Sequence, residues 1–135
     1  MVVDRRGDTQ LHISDAVKNL IIGAPHNWSR NVLLWNLAAD PVFGPHTNNG
    51  GCPVCEGAIT LDGDQVTRNA AYYTVAHASK FVPPGSVRIA STTSDTLPSV
   101  AFLTPEKMKV LIVTNSGDSP QQFQIRYHGR LFLRH

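Results

Sequence analysis

The sequence predicts a mainly β fold of the α+β class, in which a helix–strand–loop–helix part precedes an antiparallel β-sandwich. Residues 11–82 contain two helix-like stretches, one apolar strand-like run and a long loop. Residues 86–135 contain short β-prone runs at intervals of about a dozen residues, a spacing typical of a sandwich or barrel. Pro83-Pro84-Gly85 interrupts regular structure between the two parts. We therefore expect a frayed or disordered N-terminus over residues 1–10, an α/β unit over 11–85 and a sandwich portion over 86–135.

The first part begins with a predicted helix and a predicted buried strand. Ser14-Asp15 is a plausible helix start, because such side chains accept hydrogen bonds from the free amides of a first turn. Val17 and Ile21 follow at helical spacing. Pro25 should end or kink this helix, since proline lacks the backbone donor. The apolar run Val32–Leu37 is then expected to form a buried strand.

A loop rich in Gly, Pro and Asn covers residues 40–57, and loops this long in compact domains are usually functional or disordered. Two short β runs then flank Asp62-Gly63-Asp64, and Asp-Gly between β-prone residues is a hairpin signal. Residues 69–82 are predicted to form a second helix, which the Pro-Pro-Gly sequence ends. Four β runs follow: "SVRIASTTS", "SVAFLT", "KVLIVTN" and "QQFQIRY".

The composition is that of an ordinary globular protein, either one domain or a piece of a larger one. Twelve Lys and Arg against ten Asp and Glu leave a formal net charge of +2, too small and scattered to indicate nucleic-acid binding. No apolar run reaches the roughly 18 residues that a membrane-spanning helix needs. The charged N-terminus lacks the apolar stretch of a secretory signal. No cofactor is predicted, and the localisation stays open.

The two cysteines, Cys52 and Cys55, form a single CxxC in "GGCPVCEG". Such a pair is compatible with a redox site, half of a zinc site or a small local disulfide in a loop. The Gly-rich flanks favour a loop over the helix start that a redox pair usually occupies. Zinc would need two more ligands, for which His46 and His77 are candidates at a spacing that matches no recognised finger.

Three segments carry a resemblance to a known family: "NLIIGAPHNWSRNVLLWNLAADP", then "GPH", "GC" and "C-G", then "VTRNAAYYTVAHASKFVPPGSVRI". Together they cover most of residues 18–90 and resemble glycoside hydrolase family 30, the glucosylceramidase-like β-glycosidases. The later run "VLIVTNSGDSPQQFQI" is similar to the family's C-terminal β-sandwich. The resemblance implies a TIM barrel with an attached sandwich, of which this sequence carries the last β/α unit and the sandwich.

The resemblance also implies a sugar site. It places Val32–Asn36 on the last barrel strand, and the active sites of such barrels lie at the C-terminal ends of the strands. Trp35 would then line the sugar pocket, with Asn36 as an amide that bonds hydroxyl groups. The following loop would form part of the rim, where His46 and Asn49 are further candidates for binding carbohydrate, a β-glycoside. The competing interpretation is that Trp35 and Asn36 only plug the core.

The resemblance carries over no catalytic residue. Retaining glycosidases use two carboxylates about 5–5.5 Å apart as nucleophile and acid/base, and in this family both are glutamates on earlier barrel strands. The two glutamates present, Glu56 and Glu106, match neither position. The preferred hypothesis is therefore a C-terminal fragment of a β-glycoside hydrolase that is non-catalytic alone and either structural or weakly carbohydrate-binding.

Two alternative functions stay open. One is a minimal β-glycosidase whose carboxylate pair is drawn from Glu56, Glu106, Asp40, Asp62 and Asp64. The other is a small metal-binding protein organised by the CxxC pair and a histidine.

Exposed strand edges predict self-association. A barrel strand without its neighbours exposes unpaired backbone groups, as does a sandwich that lacks its final strand. The sequence ends in "GRLFLRH", which does not match the family's closing strand, so the sandwich is predicted to lack it. Homo-oligomers are expected to form through strand edges, with Leu131, Phe132 and Leu133 in the contact. Trp28 is expected to be a packing residue at the helix-to-strand turn, and His77 is expected to be a hydrogen-bonded histidine of the core.

Overall fold

A computed structural model describes residues 9–50 and 52–132 of the chain. The helical segments are α1 (Thr9–Ala16), a π-helical segment (Val17–Gly23), α2 (Ala24–His26) and α3 (Ala70–Ser79). The strands are β1 (Ala38–Ala39), β2 (Ile59–Asp62), β3 (Gln65–Arg68), β4 (Val87–Ile89), β5 (Ser99–Leu103), β6 (Lys109–Val113), β7 (Ile125–Tyr127) and β8 (Arg130–Phe132). Within the described ranges, no helix is long and apolar enough to cross a bilayer.

The first helix begins at Thr9 rather than at the predicted Ser14, and α1, the π-helical segment and α2 follow one another without a break. The backbone stays right-handed at the junctions, with φ/ψ of −68°/−41° at Ala16 and −67°/−42° at Gly23. Ser14 Oγ lies 3.3 Å from Thr114 Oγ1. The Ser14 hydroxyl therefore ties the helix to a distant part of the chain instead of capping a first turn. The frayed terminus expected over 1–10 lies mostly outside the described residues.

The helix ends after His26 in a Schellman motif. The amide of Trp28 donates to the carbonyl of Pro25 at 3.1 Å, and the amide of Ser29 donates to the carbonyl of Ala24 at 3.0 Å. These two bonds satisfy carbonyls that have no partner inside the helix. Trp28 stands at the position where glycine is usual, with a left-handed φ of 65°. The helix thus ends one residue beyond Pro25.

The predicted buried strand over Val32–Leu37, called the open segment below, is wrong. The segment has no strand pairing, and its side chains alternate between exposed and half-buried. Leu33, Trp35 and Leu37 are 89%, 74% and 76% exposed. A buried strand needs its backbone groups paired, and the described chain supplies pairing only at the segment's end, where the amides of Ala58 and Ile59 donate to the carbonyls of Asn36 and Leu37. Regular pairing begins after the open segment, at β1.

A three-stranded sheet in the order β1-β2-β3 follows the open segment, with β1 parallel and β3 antiparallel to β2. β2 and β3 form the hairpin predicted around Asp62-Gly63-Asp64, where Gly63 has a φ of 55°, as a two-residue turn requires. Gly57 packs against the backbone of β1, because a Cβ at this position would lie 2.7 Å from Ala38. This close approach fixes the end of the long loop against β1.

The C-terminal part forms a second sheet and a hairpin. β4, β5 and β6 make an antiparallel sheet with β5 in the middle. β7 and β8 pair with each other, so a strand follows β7 at Arg130–Phe132, where the sequence predicts none. The turn between them has φ of 46° at His128 and 75° at Gly129, the left-handed pair that such a hairpin requires. The sequence does not indicate this turn, because His128 stands where Asn or Gly is the usual residue.

One hydrophobic core joins the helix to the sheet β4-β5-β6. It consists of Val17, Ile21 and Ile22 from the π-helical segment, Val100 from β5 and Ile112 from β6. The two predicted parts, 11–85 and 86–135, therefore share a core. A polar link supports it, since Nε2 of His26 lies 2.7 Å from the carbonyl oxygen of Ser99. This packing holds the end of the helix against the sheet. The open segment follows the helix end along the chain.

Candidate functional site

Trp35 and Asn36 lie at the end of the open segment, just before β1. The exposure of Trp35 shows that the core-plug interpretation is wrong for this side chain. Asn36 is half-buried, and its backbone carbonyl accepts a hydrogen bond from the amide of Ala58 at 2.9 Å. Its side-chain Oδ1 is buried and has no hydrogen-bond partner in the described part of the chain. The pair thus presents an exposed flat apolar ring beside a buried amide oxygen that lacks a hydrogen-bond partner among the described residues.

The loop after the open segment is organised by Asp40. Oδ1 of Asp40 accepts hydrogen bonds from the amides of Val42 at 2.8 Å and Gly44 at 2.7 Å. The predicted sugar-binding residues His46 and Asn49 are exposed further along this loop. Among the residues that the structure covers, no hydrogen bond or ring contact joins them to the Trp-Asn pair. The four candidates therefore do not form one hydrogen-bonded cluster.

Cys52 and Cys55 are joined by a disulfide, with 5.4 Å between their Cα atoms. Zinc binds the thiolate, which a disulfide does not provide. Over residues 9–50 and 52–132, no three His, Cys, Asp or Glu side chains gather as a metal site would require. His77 is exposed, with Nδ1 2.7 Å from the carbonyl oxygen of Tyr73, so its predicted core position is wrong. The structure therefore does not favour the metal-binding alternative.

The candidate carboxylates occupy turns and loops in different parts of the fold. Glu106 is exposed in the turn between β5 and β6, whereas Glu56 is half-buried beside the disulfide. Asp62 and Asp64 are exposed at the turn between β2 and β3. Turn formation explains these two aspartates, and the two amide bonds described above explain Asp40. Glu106 lies in a turn of the second sheet, whereas the other four positions lie in or next to the first sheet along the chain.

A groove of about 670 Å³, which the sequence does not predict, lies between the helix end, the open segment, α3 and β4. Its apolar lining includes Val32, Leu34, Val82 and Phe102. At its mouth Trp28 is 82% exposed, so the packing role predicted for it at the helix-to-strand turn is wrong. The guanidinium of Arg88 instead lies 4.8 Å from the Trp28 ring centroid. No local signal could have predicted this groove, because the helix end, the open segment, α3, β4 and β5 all contribute to its walls.

Comparison with known proteins agrees with the resemblance found in the sequence. Residues 85–132 match the glycosyl hydrolase family 30 β-sandwich domain. Endo-1,6-β-D-glucanase neg1 of Aspergillus fumigatus is 35% identical over 101 residues, which are 70% of this chain and 21% of that protein. Lysosomal acid glucosylceramidase of Mus musculus is 35% identical over 92 residues, which are 64% of this chain and 17% of that protein.

A solved structure supports the same relationship. The endo-β1,6-glucanase BT3312 superposes with a TM-score of 0.77 and 29% identity, over 89% of this chain and 27% of that chain. This chain spans about a fifth of the length of the curated relatives it matches. The α+β fold class predicted from the sequence is confirmed by this likeness and by the sandwich match. The chain therefore belongs to glycoside hydrolase family 30 and corresponds to a C-terminal portion of such a protein, which includes the β-sandwich domain.

Proposed function

We propose that this chain is a carbohydrate-binding portion of a β-glycoside hydrolase and does not hydrolyse glycosidic bonds by itself. The ligand class that we propose is a β-1,6-linked glucan, because two of the proteins to which the chain is similar are named endo-1,6-β-glucanases. The observation that carries the proposal is the exposed indole of Trp35 at the end of the open segment.

The chemistry of a tryptophan ring supports this proposal. A pyranose presents C–H groups on its faces and hydroxyl groups around its edge. Stacking such a face on the Trp35 indole removes apolar surface of both partners from water, which is favourable by about 25 cal/mol per Å². His46 and Asn49 add exposed hydrogen-bonding groups on the neighbouring loop. An apolar platform with polar groups nearby suits the mixed character of a sugar.

The positions of the glutamates support binding without turnover. Retaining hydrolysis needs two carboxylates about 5–5.5 Å apart. Glu106 lies in a turn of the second sheet, and Glu56 lies in the loop beside the disulfide. Neither matches a catalytic position of the family. Hydrolysis of a β-glycosidic bond is the activity that we propose for a complete family 30 enzyme and not for this portion.

The binding test is depletion of the chain from solution by insoluble β-1,6-glucan, with β-1,3-glucan as the linkage control. Trp35→Ala is expected to weaken binding about tenfold, or ~1.4 kcal/mol, because the stacking surface is lost. Trp28→Ala is the matched control, since it removes another exposed indole that lies outside the proposed site. Equal losses in both variants, or no binding of the unmodified chain to either glucan, would contradict the proposal.

The same preparations separate binding from catalysis. Release of reducing ends from the glucan by the purified chain is expected to stay at the level of buffer. Turnover that either Glu56→Gln or Glu106→Gln abolishes would instead favour the minimal glycosidase and would refute the non-catalytic assignment. Both substitutions keep the size of the side chain and remove its charge, so the comparison isolates the carboxylate.

A further inference from the structure

The sequence contains one Asn-X-Ser/Thr triplet with no proline in the middle, Asn27-Trp28-Ser29. This triplet is the acceptor signal for N-linked glycans in secreted proteins. Short matches of this kind arise by chance, so the structural surroundings of the triplet decide whether it can serve as a site.

The triplet lies in the Schellman motif that ends the first helix, and all three residues are exposed. Asn27 is the C-cap residue, and its Nδ2 donates a hydrogen bond to the carbonyl of Gly23 at 2.9 Å. An N-glycosylated amide nitrogen keeps one hydrogen, so this bond remains possible after modification. A glycan on Asn27 would therefore extend into solvent without disturbing the helix end.

The disulfide between Cys52 and Cys55 supplies an independent second observation. Structural disulfides form and persist in oxidising environments such as the lumen of the endoplasmic reticulum and the cell exterior, and they are rare in the cytosol. The endoplasmic reticulum is also where N-linked glycans are attached. The disulfide and the acceptor triplet therefore point to the same route through the cell.

We propose that Asn27 is an N-glycosylation site. In the reaction, a bond forms between Nδ2 of Asn27 and C1 of the first sugar of an oligosaccharide carried on a polyprenyl diphosphate. The bond between C1 and the diphosphate oxygen breaks, the diphosphate leaves with its lipid, and one amide proton passes to a base. Trp28 and Ser29 line the groove described above, so the attached glycan stands at its mouth and covers exposed surface of Trp28.

The test is expression of the chain behind a cleavable signal in a eukaryotic secretory host, followed by peptide mass spectrometry. We expect the peptide that contains residue 27 to carry a glycan, and its enzymatic removal by a peptide-N-glycosidase to leave aspartate at that position. Ser29→Ala and Asn27→Gln should lose the glycan, whereas Ser29→Thr should keep it, because threonine also completes the acceptor triplet.

Two results would overturn the proposal. One is a secreted chain with the disulfide formed and Asn27 unmodified. The other is a glycan that persists in Ser29→Ala, because the modification would then not depend on the triplet. The glycan is read directly on the secreted protein, so this test does not depend on whether the chain binds glucan.

Discussion

The apolar runs of β5 and β6 are buried whereas the apolar run of the open segment is exposed, and this difference shows what burial depends on. Val100 in β5 is completely buried, and Ile112 in the neighbouring β6 is also buried. Leu33 in the open segment is among the most exposed apolar residues that the structure describes. All three residues lie in apolar sequence runs. β5 is paired on both edges and covered by the first helix, whereas the open segment is paired only at its end.

An apolar sequence allows a strand to form, but the strand becomes buried only where neighbouring strands pair with it and a helix covers it. Backbone donors and acceptors that leave water must find hydrogen bonds. β5 satisfies its backbone through β4 and β6. The backbone of the open segment is paired only at its end, where Ala58 and Ile59 donate to the carbonyls of Asn36 and Leu37 just before β1. Leu33, Trp35 and Leu37 therefore stay in solvent, although the composition of the segment resembles that of the core.

The largest expected effect is the loss of a core side chain. Ile112→Ala should lower the free energy of unfolding by about 2–5 kcal/mol, because it removes buried methylene groups and leaves a cavity. Leu33→Ala, the matched change in the open segment, should stay within about 0.5 kcal/mol, since the side chain is already in water. Urea denaturation followed by circular dichroism measures both.

If Ile112→Ala does not fold, the milder change Ile112→Val tests the same difference in burial. Ile112→Val should then cost about 0.5–1.5 kcal/mol, still more than the leucine truncation in the open segment. A Leu33→Ala cost as large as that of Ile112→Ala would mean that the open segment is buried in solution. The contrast between the sheet strands and the open segment would then be wrong.

Much of the fold could be predicted from local signals. The hairpin around Asp62-Gly63-Asp64 and the strand at Lys109–Val113 rest on turn chemistry and on apolar runs, both visible in sequence. The start of the first helix could not be predicted, because Ser14 engages Thr114, a hundred residues away, instead of capping. β8 was missed because its turn uses His128 where Asn or Gly is usual.

The candidate site was predictable in part. The resemblance points to Trp35 and Asn36, and the structure shows an exposed indole and a buried Oδ1 without a hydrogen-bond partner. Whether they bind sugar together with His46 and Asn49 stays a prediction, since spacing in sequence does not determine how a long loop folds. The acceptor triplet at Asn27 was readable from the sequence, but its exposure depends on how the helix ends.

Self-association through strand edges also stays a prediction, and the effect expected from disrupting it is intermediate in size. Leu131 and Phe132 are exposed on β8, while Leu133 lies outside the described residues. Phe132→Lys should weaken association between two copies of the chain about tenfold, or ~1.4 kcal/mol, because a charge at an edge strand opposes pairing. Size-exclusion chromatography with light scattering over a range of concentrations measures this change.

The matched control for this prediction is Asn48→Lys, which adds the same charge at an exposed loop position. The control variant should associate like the unmodified chain. A monodisperse monomer of the unmodified chain at high concentration would refute the prediction, because its exposed edges would then not attract a second copy.

The smallest expected effect concerns Trp28, which occupies a left-handed position at the helix end. Trp28→Gly and Trp28→Ala both remove the indole and its contact with Arg88, so they differ only in the Cβ. The left-handed conformation costs a residue with a Cβ about 1–2 kcal/mol, and the freedom of glycine in the unfolded chain offsets about 0.4–1 kcal/mol. The Gly variant should therefore be more stable than the Ala variant by roughly 0.5–1 kcal/mol.

The control is Ala76 inside α3, where alanine should be more stable than glycine. Ala76→Gly is expected to lower the free energy of unfolding by about 0.5–1 kcal/mol, because glycine is unfavourable inside a helix. Equal stability of the two Trp28 variants in urea denaturation would mean that the helix ends in solution without the left-handed turn.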